Sequence, residues 1–295
     1  MSEFKTIGFI GLGVMGEPMC RNIAAKHDGE VIGFDLDPAP LERLSPHGVR
    51  AAASLGEIAN HADLILLSLP GGKEVRAVCL ADGGLVEHAR DGTVVLDTST
   101  APPALSREVH AAFAGRGTAF ADAPVARTRQ AAIEGKLSIM VGAAPDLFTR
   151  IEPVLRYMAS DVTHCGDVGA GEICKILNNM VLFENVVALS EALAVGRRAG
   201  VDGDKLLEAI AKSSGDSFAL RNHGMKAVLP GEFPEGAFSV TYALKDLSYA
   251  LELAESGGVN ARGAKLVSEL FGEAQTRGWG EHYHPVIARV IEDKG

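Results

Sequence analysis

A glycine-rich turn constrains the fold of this chain more than any other feature of its sequence. The turn reads Gly11-Leu12-Gly13-Val14-Met15-Gly16 and stands between the apolar run Thr6–Ile10 and a stretch of helical pattern, Glu17–Lys26. In such a turn the first glycine permits a tight bend, the second lets the backbone approach a pyrophosphate, and the third lets the helix pack against the strand. The amino end of that helix favours a bound phosphate. We therefore predict cofactor-binding residues in this turn: Gly11, Gly13, Val14, Met15 and Gly16.

An acidic residue after the second apolar run indicates which dinucleotide binds. Asp35 follows the run Val31–Phe34 and stands 19 residues after Gly16. A carboxylate at this place accepts hydrogen bonds from the ribose hydroxyls and repels a 2′-phosphate. The next two residues are Leu36 and Asp37, so no arginine is available there to bind such a phosphate. We predict NAD as the cofactor, with NADP as the less favoured alternative.

Short apolar runs alternate with helical patterns through the first half of the chain. A strand buried on both faces of a parallel sheet is a nearly continuous apolar run. The alternation predicts an α/β fold with a doubly wound sheet, the Rossmann arrangement. The predicted strands are Thr6–Ile10, Val31–Phe34, Leu64–Leu69, Thr93–Leu96, Thr118–Ala121 and, as an edge strand, Leu137–Val141.

The strand pattern ends near Gly166, and the second half is predicted to be helical. Glu172–Val195 contains no glycine or proline over 24 residues, which predicts a long helix. Shorter helical patterns follow at Asp204–Ser213, Val240–Ser256, Ala261–Thr276 and Pro285–Glu292. We therefore predict an NAD-binding Rossmann domain over residues 1–165 and an all-helical domain for substrate binding and oligomerisation over residues 166–295. The long interdomain helix joins them.

The composition excludes several classes of protein. The chain of 295 residues has 28 Lys and Arg against 38 Asp and Glu, a net charge of −10, and no basic block. A nucleic-acid-binding protein normally shows a basic face, so no nucleic acid is predicted as a partner. The long helix carries Lys175, Glu184 and Glu191, so we predict that it does not span a membrane. The four cysteines form no Cys-x-x-Cys pair and no signal-peptide pattern is present, which predicts a cytoplasmic protein with reduced thiols and no metal site.

Two polar residues on the long helix raise a chemical question. Lys175 and Asn179 are four positions apart, so they lie on one face of the helix. A lysine on a helix is most often a solvated charge whose stem covers apolar surface. A lysine positioned against a substrate can instead transfer a proton. The helical pattern alone leaves both interpretations open.

Four segments of the sequence occur together in an order typical of one enzyme family. They are Gly8 to Gly16, Asp122-Ala123-Pro124-Val125, Gly166 to Gly171 leading to Lys175 and Asn178-Asn179, and Lys245-Asp246. On these segments the chain resembles, over nearly its whole length, the β-hydroxyacid dehydrogenase family, which includes 3-hydroxyisobutyrate dehydrogenase and tartronate semialdehyde reductase. The resemblance implies an NAD-dependent enzyme that acts on a small anionic hydroxy acid or its semialdehyde. It also favours a homodimer or homotetramer.

The resemblance implies roles for individual residues. In this family the lysine that matches Lys175 is the catalytic acid and base, and the asparagine that matches Asn179 holds the substrate. The lysine that matches Lys245 lies near both the nicotinamide and the substrate. The threonine of the segment matching Asp97–Thr100 contacts the cofactor, which we carry over to Thr100, although Thr98 and Ser99 adjoin it. Further predicted cofactor-binding residues are Leu69 and Pro70.

The sequence departs from the family where the substrate is usually held. The family continues Asp-Ala-Pro-Val with Ser-Gly-Gly, whereas this chain has Ala126-Arg127-Thr128. A guanidinium is suited to a carboxylate, phosphate or sulfonate. The segment is similar to that of the 3-sulfolactaldehyde reductases, whose arginine holds a sulfonate. We predict that Ala126, Arg127 and Thr128 bind the substrate, which is 3-sulfolactaldehyde or its alcohol, or alternatively a carboxylate, as in 3-hydroxyisobutyrate dehydrogenase or tartronate semialdehyde reductase.

Three other polar residues, Arg221, His282 and His284, also receive predictions. Arg221 is predicted to lie in a loop, either as a second contact to the substrate anion or as an ordinary surface arginine. His282 and His284 are predicted to lie in a loop before a helix rather than in a metal site.

Two competing functions are imine reduction and a scaffold without chemistry. The resemblance argues against both, because relatives of these kinds lack a lysine at the position of Lys175.

Overall fold

A nine-stranded sheet forms the first half of the chain in the computed structural model, which describes residues 3–293. The strands are β1 (Thr6–Ile10), β2 (Glu30–Phe34), β3 (Val49–Ala51), β4 (Leu64–Leu67), β5 (Val94–Asp97), β6 (Ala119–Asp122), β7 (Val125–Ala126), β8 (Leu137–Gly142) and β9 (Ala159–Gly166). Their order across the sheet is β3-β2-β1-β4-β5-β6-β8-β7, and β9 pairs with β8. All neighbours from β3 to β6 are parallel, whereas β8 is antiparallel to β6 and β7.

The position of a ligand follows from this strand order. The chain moves outward from β1 to β3, returns, and then moves outward in the other direction from β4. In open α/β sheets, ligands bind outside the carboxyl ends of the strands at the point where the order reverses, here between β1 and β4. The glycine-rich turn follows β1, so it lies at this point.

Helices connect the strands and cover both faces of the sheet. The helices of this half are α1 (Gly16–Lys26), α2 (Pro38–Leu44), α3 (Leu55–His61), α4 (Gly72–Leu80), α5 (Leu85–His88), α6 (Pro103–Ala114), α7 (Arg129–Ile133) and α8 (Pro145–Leu155). Alternate residues of one strand enter two different cores. In β4, for example, Leu64 and Leu66 pack in one apolar cluster, and Ile65 and Leu67 pack in another. The predicted doubly wound α/β domain is therefore confirmed.

Several strand predictions differ from the structure. The strand predicted at Leu64–Leu69 ends at Leu67, and the segment Leu137–Val141 is not at an edge, because β8 has paired neighbours on both sides. β9 is the edge strand beside β8, and the sequence predicted neither β9 nor the short strands β3 and β7. Half of the residues of β9 are polar and exposed, so it lacks the apolar run on which the prediction depended.

The second half of the chain is helical, as predicted. Its helices are α9 (Ala170–Arg198), α10 (Gly203–Ala211), α11 (Val240–Ser256), α12 (Arg262–Ala274) and α13 (Ile287–Glu292). Two compact units are present, residues 1–175 and 176–295, and α9 is continuous across their boundary. The boundary at 165/166 stays a prediction. An apolar cluster that includes Phe183 and Phe271 forms the core of the second unit.

Helix α9 is long and apolar enough to span a membrane by length and mean hydropathy alone. Within it, Glu172 and Lys175 are buried against protein, at 0% and 8% exposure. One helix of this length and hydropathy is weak evidence for a membrane span, because the core helix of a soluble protein has the same properties.

The prediction of a loop around Arg221 is wrong. Residues Leu220–Val228 form a helix of π type. Arg221 donates to Asp216 and to the carbonyl of Ala211, so its charge is paired at the end of α10. The run Arg221-Asn222-His223-Gly224 has no apolar periodicity, which is why its helical geometry could not be seen in the sequence.

Candidate active site

Two glycines of the turn after β1 are required by close packing. Gly11 has a φ of +87°, and a Cβ there would lie 2.3 Å from the carbonyl oxygen of Ser68. A Cβ on Gly16 would lie 2.0 Å from the carbonyl oxygen of Gly11. Neither position can hold a side chain. These two glycines bend the chain and seat α1 against β1.

The middle glycine has a different environment. Gly13 is exposed, and a Cβ built on it would meet no described atom within 4 Å. Val14 beside it is 54% exposed, and in the described part of the chain no side chain caps the amino end of α1. An open backbone at an uncapped helix terminus fits a pyrophosphate group.

Asp35 is fixed by the same turn. Its carboxylate accepts the N–H groups of Leu12 and Asp37. Each carboxylate oxygen can accept a further hydrogen bond, so the side chain can also accept from ribose hydroxyls. The next residue, Leu36, is 93% exposed and offers no positive charge for a 2′-phosphate. This side of the site fits NAD.

The segments after β4 and β5 are joined by side-chain hydrogen bonds. The Ser99 hydroxyl accepts the N–H of Leu69 at 2.9 Å, and the Thr98 hydroxyl donates to the carbonyl of Leu67 at 2.5 Å. Both hydroxyls are buried, whereas Thr100 is partly exposed. Of the three neighbouring hydroxyls, Thr100 is therefore the one most accessible to a cofactor, and Pro70 after Leu69 is also exposed.

The amino end of α9 is attached to the sheet by two buried carboxylates. Asp122, the last residue of β6, accepts the N–H groups of Gly169 at 2.6 Å and Glu172 at 2.8 Å. Burial raises the pKa of Asp122, and the backbone N–H groups that it accepts lower it in part. Glu172 in turn accepts the N–H of Ala101 at 3.0 Å. The first turn of α9 is thus fixed to the residue next to Thr100.

Lys175 lies on the second turn of this helix and is 8% exposed. The sequence left open whether this lysine was solvated or chemically active. A surface lysine normally extends its amine into water, whereas Lys175 is buried. The burial agrees with a lysine that is held for chemistry.

A buried carboxylate organises the candidate substrate residues of the second unit. Asp246 is 2% exposed; it accepts from the Asn179 amide at 2.6 Å and forms an ion pair with the Lys245 amine at 3.1 Å. The Asn179 side chain is itself buried, and its carbonyl oxygen accepts from Asn178. Asp246 therefore brings together two residues that the sequence assigned to the substrate. It was present in the Lys245-Asp246 motif, but no role was predicted for it.

Aromatic rings surround Lys245. Its amine lies 5.8 Å from the centre of the Tyr242 ring and 5.4 Å from that of Tyr249. Phe238 packs next to Tyr242 and is 38% exposed. The sequence predicted none of these rings, although Tyr242 and Tyr249 flank Lys245 at helical spacing, which was the available signal.

The segment predicted to hold the substrate's anionic group has another role in the structure. Arg127 has a φ of +86°, the only positive φ of a non-glycine among residues 3–293. Its guanidinium donates to the carbonyl of Lys136, to Ser160 and to Asp161, each at 2.7 Å. An anion-holding role for Arg127 stays a prediction, and this geometry weighs against it.

The neighbours of Arg127 are also engaged in local structure. Ala126 is buried in β7, and the Thr128 hydroxyl caps α7 by accepting the N–H of Ala131 at 3.4 Å. Glycine adopts such a positive φ without strain, so Arg127 holds a backbone conformation that is unfavourable for a residue with a side chain. The substrate-binding roles of Ala126 and Thr128 stay predictions.

A buried cluster of polar rings lies elsewhere in the second unit. The Tyr283 hydroxyl is hydrogen-bonded to Nδ1 of His223, and the rings of His223 and His284 are 5.2 Å apart. Burial lowers the pKa of His223 to about 4, with a smaller effect of Lys226, and raises the pKa of Tyr283 to about 12. His284 begins a short 3-10 helix. Among residues 3–293, no three His, Cys, Asp or Glu side chains are grouped to hold a metal ion.

Two family models match the chain. The first, the NAD-binding domain of 6-phosphogluconate dehydrogenase, matches residues 6–166. The second, the NAD-binding domain of NADP-dependent 3-hydroxyisobutyrate dehydrogenase, matches residues 169–291. Together they cover the glycine-rich turn and the lysine helix.

Individual relatives match along nearly the whole chain. A 2-(hydroxymethyl)glutarate dehydrogenase of Eubacterium barkeri is 35% identical over 99% of this chain and 96% of its own. An NAD-dependent L-serine dehydrogenase of Pseudomonas aeruginosa is 31% identical over 98% of both chains. A structure of Mycobacterium tuberculosis 3-hydroxyisobutyrate dehydrogenase with L-serine has a TM-score of 0.89 and 30% identity, over 99% of both chains. The chain therefore belongs to the β-hydroxyacid dehydrogenase family, and it is an NAD-dependent oxidoreductase that acts on CH–OH groups.

Proposed function

We propose that the enzyme oxidises the primary alcohol of a small 3-hydroxy carboxylate and reduces the corresponding aldehyde in the reverse direction. The relatives are named for 2-(hydroxymethyl)glutarate, L-serine and 3-hydroxyisobutyrate. Each of these compounds carries a CH₂OH group on the carbon next to a carboxylate. The shared group defines the substrate class without fixing the rest of the molecule.

The buried Lys175 is the observation on which this proposal chiefly depends. In oxidation, its neutral amine takes the hydroxyl proton; in reduction, its ammonium returns a proton to the developing alkoxide. NAD, when bound, supplies the acceptor for the hydride that leaves the carbinol carbon. The chain's contribution is to hold the lysine, and the fixed first turn of α9 suits that task.

The carboxylate and hydroxyl of the substrate need partners in a protein of net charge −10. Lys245 supplies a local positive charge, and its amine is 3.1 Å from Asp246, which limits its movement. Asn179 is oriented by its bond to the same carboxylate. We assign substrate binding to Asn179 and Lys245, with Asp246 fixing both.

The head group favoured here is a carboxylate rather than a sulfonate. The sulfonate alternative depends on Arg127, whose three hydrogen bonds to Lys136, Ser160 and Asp161 would have to break. No such rearrangement is needed if Lys245 binds the anion. The sulfonate remains the competing outcome of the test.

Steady-state rates with NAD test the proposal. The alcohols to compare are 3-hydroxyisobutyrate, L-serine, 2-(hydroxymethyl)glutarate and 2,3-dihydroxypropanesulfonate, each with wild type, Lys175→Ala and the exposed control Lys73→Ala. We expect a carboxylate to give the highest kcat/KM, and Lys175→Ala to lower kcat by about a thousandfold or more with NADH affinity within about twofold. Near-normal turnover of Lys175→Ala would exclude the lysine. A preference for the sulfonate of about a hundredfold, or roughly 2.7 kcal/mol, would overturn the carboxylate assignment.

A further inference from the structure

One buried carboxylate sets the position of the helix end that carries Lys175. Asp122 accepts the N–H groups of Gly169 and Glu172 at 2.6 and 2.8 Å. Lys175 follows Glu172 by three residues, which is less than one helical turn. A shift of this helix end therefore moves Lys175 by a similar amount.

The space around the Asp122 carboxylate allows little alternative placement. A Cβ on Gly142, its partner across the β6–β8 pair, would lie 2.5 Å from Oδ1. A Cβ on Gly171 would lie 2.8 Å from Oδ2 and 2.4 Å from the carbonyl oxygen of Met140. The side chain of Asp122 is fully buried. The two glycines let the carboxylate and the first turn of α9 approach closely, and the packing holds them in one arrangement.

We infer that Asp122 is a positioning residue for the proton transfer performed by Lys175. The inference rests on the proposed function, in which Lys175 is the acid and base. Asp122 also begins the segment that leads through β7 to Ala126-Arg127-Thr128. The Asp122 side chain thus fixes the first turn of α9 to the start of the segment in which substrate contacts were predicted.

The expected effect follows from the geometry of proton transfer. The amine must approach the hydroxyl to about 3 Å, and a misplacement of about 1 Å can lower the rate by about a hundredfold. Asp122→Asn keeps the size of the side chain, but its NH₂ group cannot accept an N–H bond, so one of the two helix bonds is lost. Because burial already disfavours the charge of Asp122, we expect this variant to fold.

The experiment compares turnover of Asp122→Asn in two backgrounds. In the wild-type background we expect kcat to fall by about 10- to 100-fold, with NADH affinity within about twofold. In the Lys175→Ala background, measured as residual turnover at high enzyme concentration, the same change should have an effect below about twofold. If Asp122 acts through Lys175, replacing Asp122 does not lower the turnover further once the amine of Lys175 is absent. A merely structural role would lower both rates by the same factor.

Controls separate the possible failures. Asp146→Asn removes a carboxylate from the first turn of α8, a helix that carries no proposed catalytic residue, and should leave kcat unchanged. Asp122→Ser, which keeps one acceptor in less volume, replaces the asparagine variant if that variant does not fold. An unchanged kcat in Asp122→Asn, or equal losses in both backgrounds, would overturn the inference. Wild-type turnover of Lys175→Ala would instead refute the proposed function itself.

Discussion

Replacement of Asp246 by asparagine tests how the candidate substrate residues are held. The wild-type carboxylate is 2% exposed and interacts with Asn179 at 2.6 Å and Lys245 at 3.1 Å. Asparagine keeps one acceptor and presents an NH₂ group where the second acceptor stood, so one of these partners loses its bond. It also removes the negative charge that forms the ion pair with Lys245.

The size of the effect can be worked from burial. Removal of one partner of a fully buried ion pair costs about 3 to 5 kcal/mol. The Lys245 side chain is 26% exposed, so water can solvate its amine in part. We therefore expect the free energy of unfolding to fall by about 2 to 3 kcal/mol. If the loss of orientation reaches the transition state, kcat/KM falls by about 10- to 100-fold, since each tenfold change corresponds to about 1.4 kcal/mol.

Urea unfolding and steady-state kinetics on the same protein samples measure both quantities. Asp216→Asn is a matched control, because it removes an exposed carboxylate that is ion-paired with Arg221 in the same unit. The control should leave stability and kcat/KM close to those of wild type. If Asp246→Asn behaves like the control, Asp246 does not organise the site and the assignment of Asn179 and Lys245 loses its support.

Two further predictions concern Arg127 and His223. Arg127→Gly should change kcat/KM for a 3-hydroxy carboxylate by less than about threefold, because the guanidinium is bound to Asp161 and two other groups; a loss of a hundredfold would restore its role as an anion contact. Burial lowers the pKa of His223 to about 4, so the folded state favours the neutral ring. The free energy of unfolding that this contributes is fully present above pH 6.5 and is lost as the pH falls towards 4. The loss is about 3 kcal/mol at most. Denaturation at pH 7.5 and 4.5 should show a larger loss for wild type than for His223→Gln, and equal losses would contradict this linkage.

The parts of the fold that were predictable have local signals. The strand, turn and helix around Gly11 to Gly16 follow from backbone constraints of a few neighbouring residues. Helix α9 was predicted because it lacks glycine and proline over most of its length. Strand β9 could not be predicted, since its pairing with β8 uses backbone groups and half of its residues are polar and exposed.

The candidate site shows a similar division. Lys175 and Asn179 could be proposed from the family resemblance, whereas their spacing alone placed them on one helix face and left the role of the lysine open. The Asp122 carboxylate could not be assigned to the helix end, because Asp122 and Gly169 are 47 positions apart and no sequence pattern joins them. The conformation of Arg127 was also hidden, since an arginine, unlike a glycine, gives no indication of a positive φ. Resemblance suggested a role for the arginine, whereas backbone geometry determined where its guanidinium lies.

The attachment of helix α9 has a consequence for recombination between enzymes of this family. A chimera joined just before Ala170 would take the helix from one parent and the carboxylate of Asp122 from the other. The N–H of Glu172 would then depend on a foreign strand end with an acid at the same place and a glycine matching Gly142, and that strand end would need a glycine matching Gly171 on the incoming helix. Exchange of the helical half alone is therefore expected to succeed only between parents that share these three residues, whatever the similarity of their substrates.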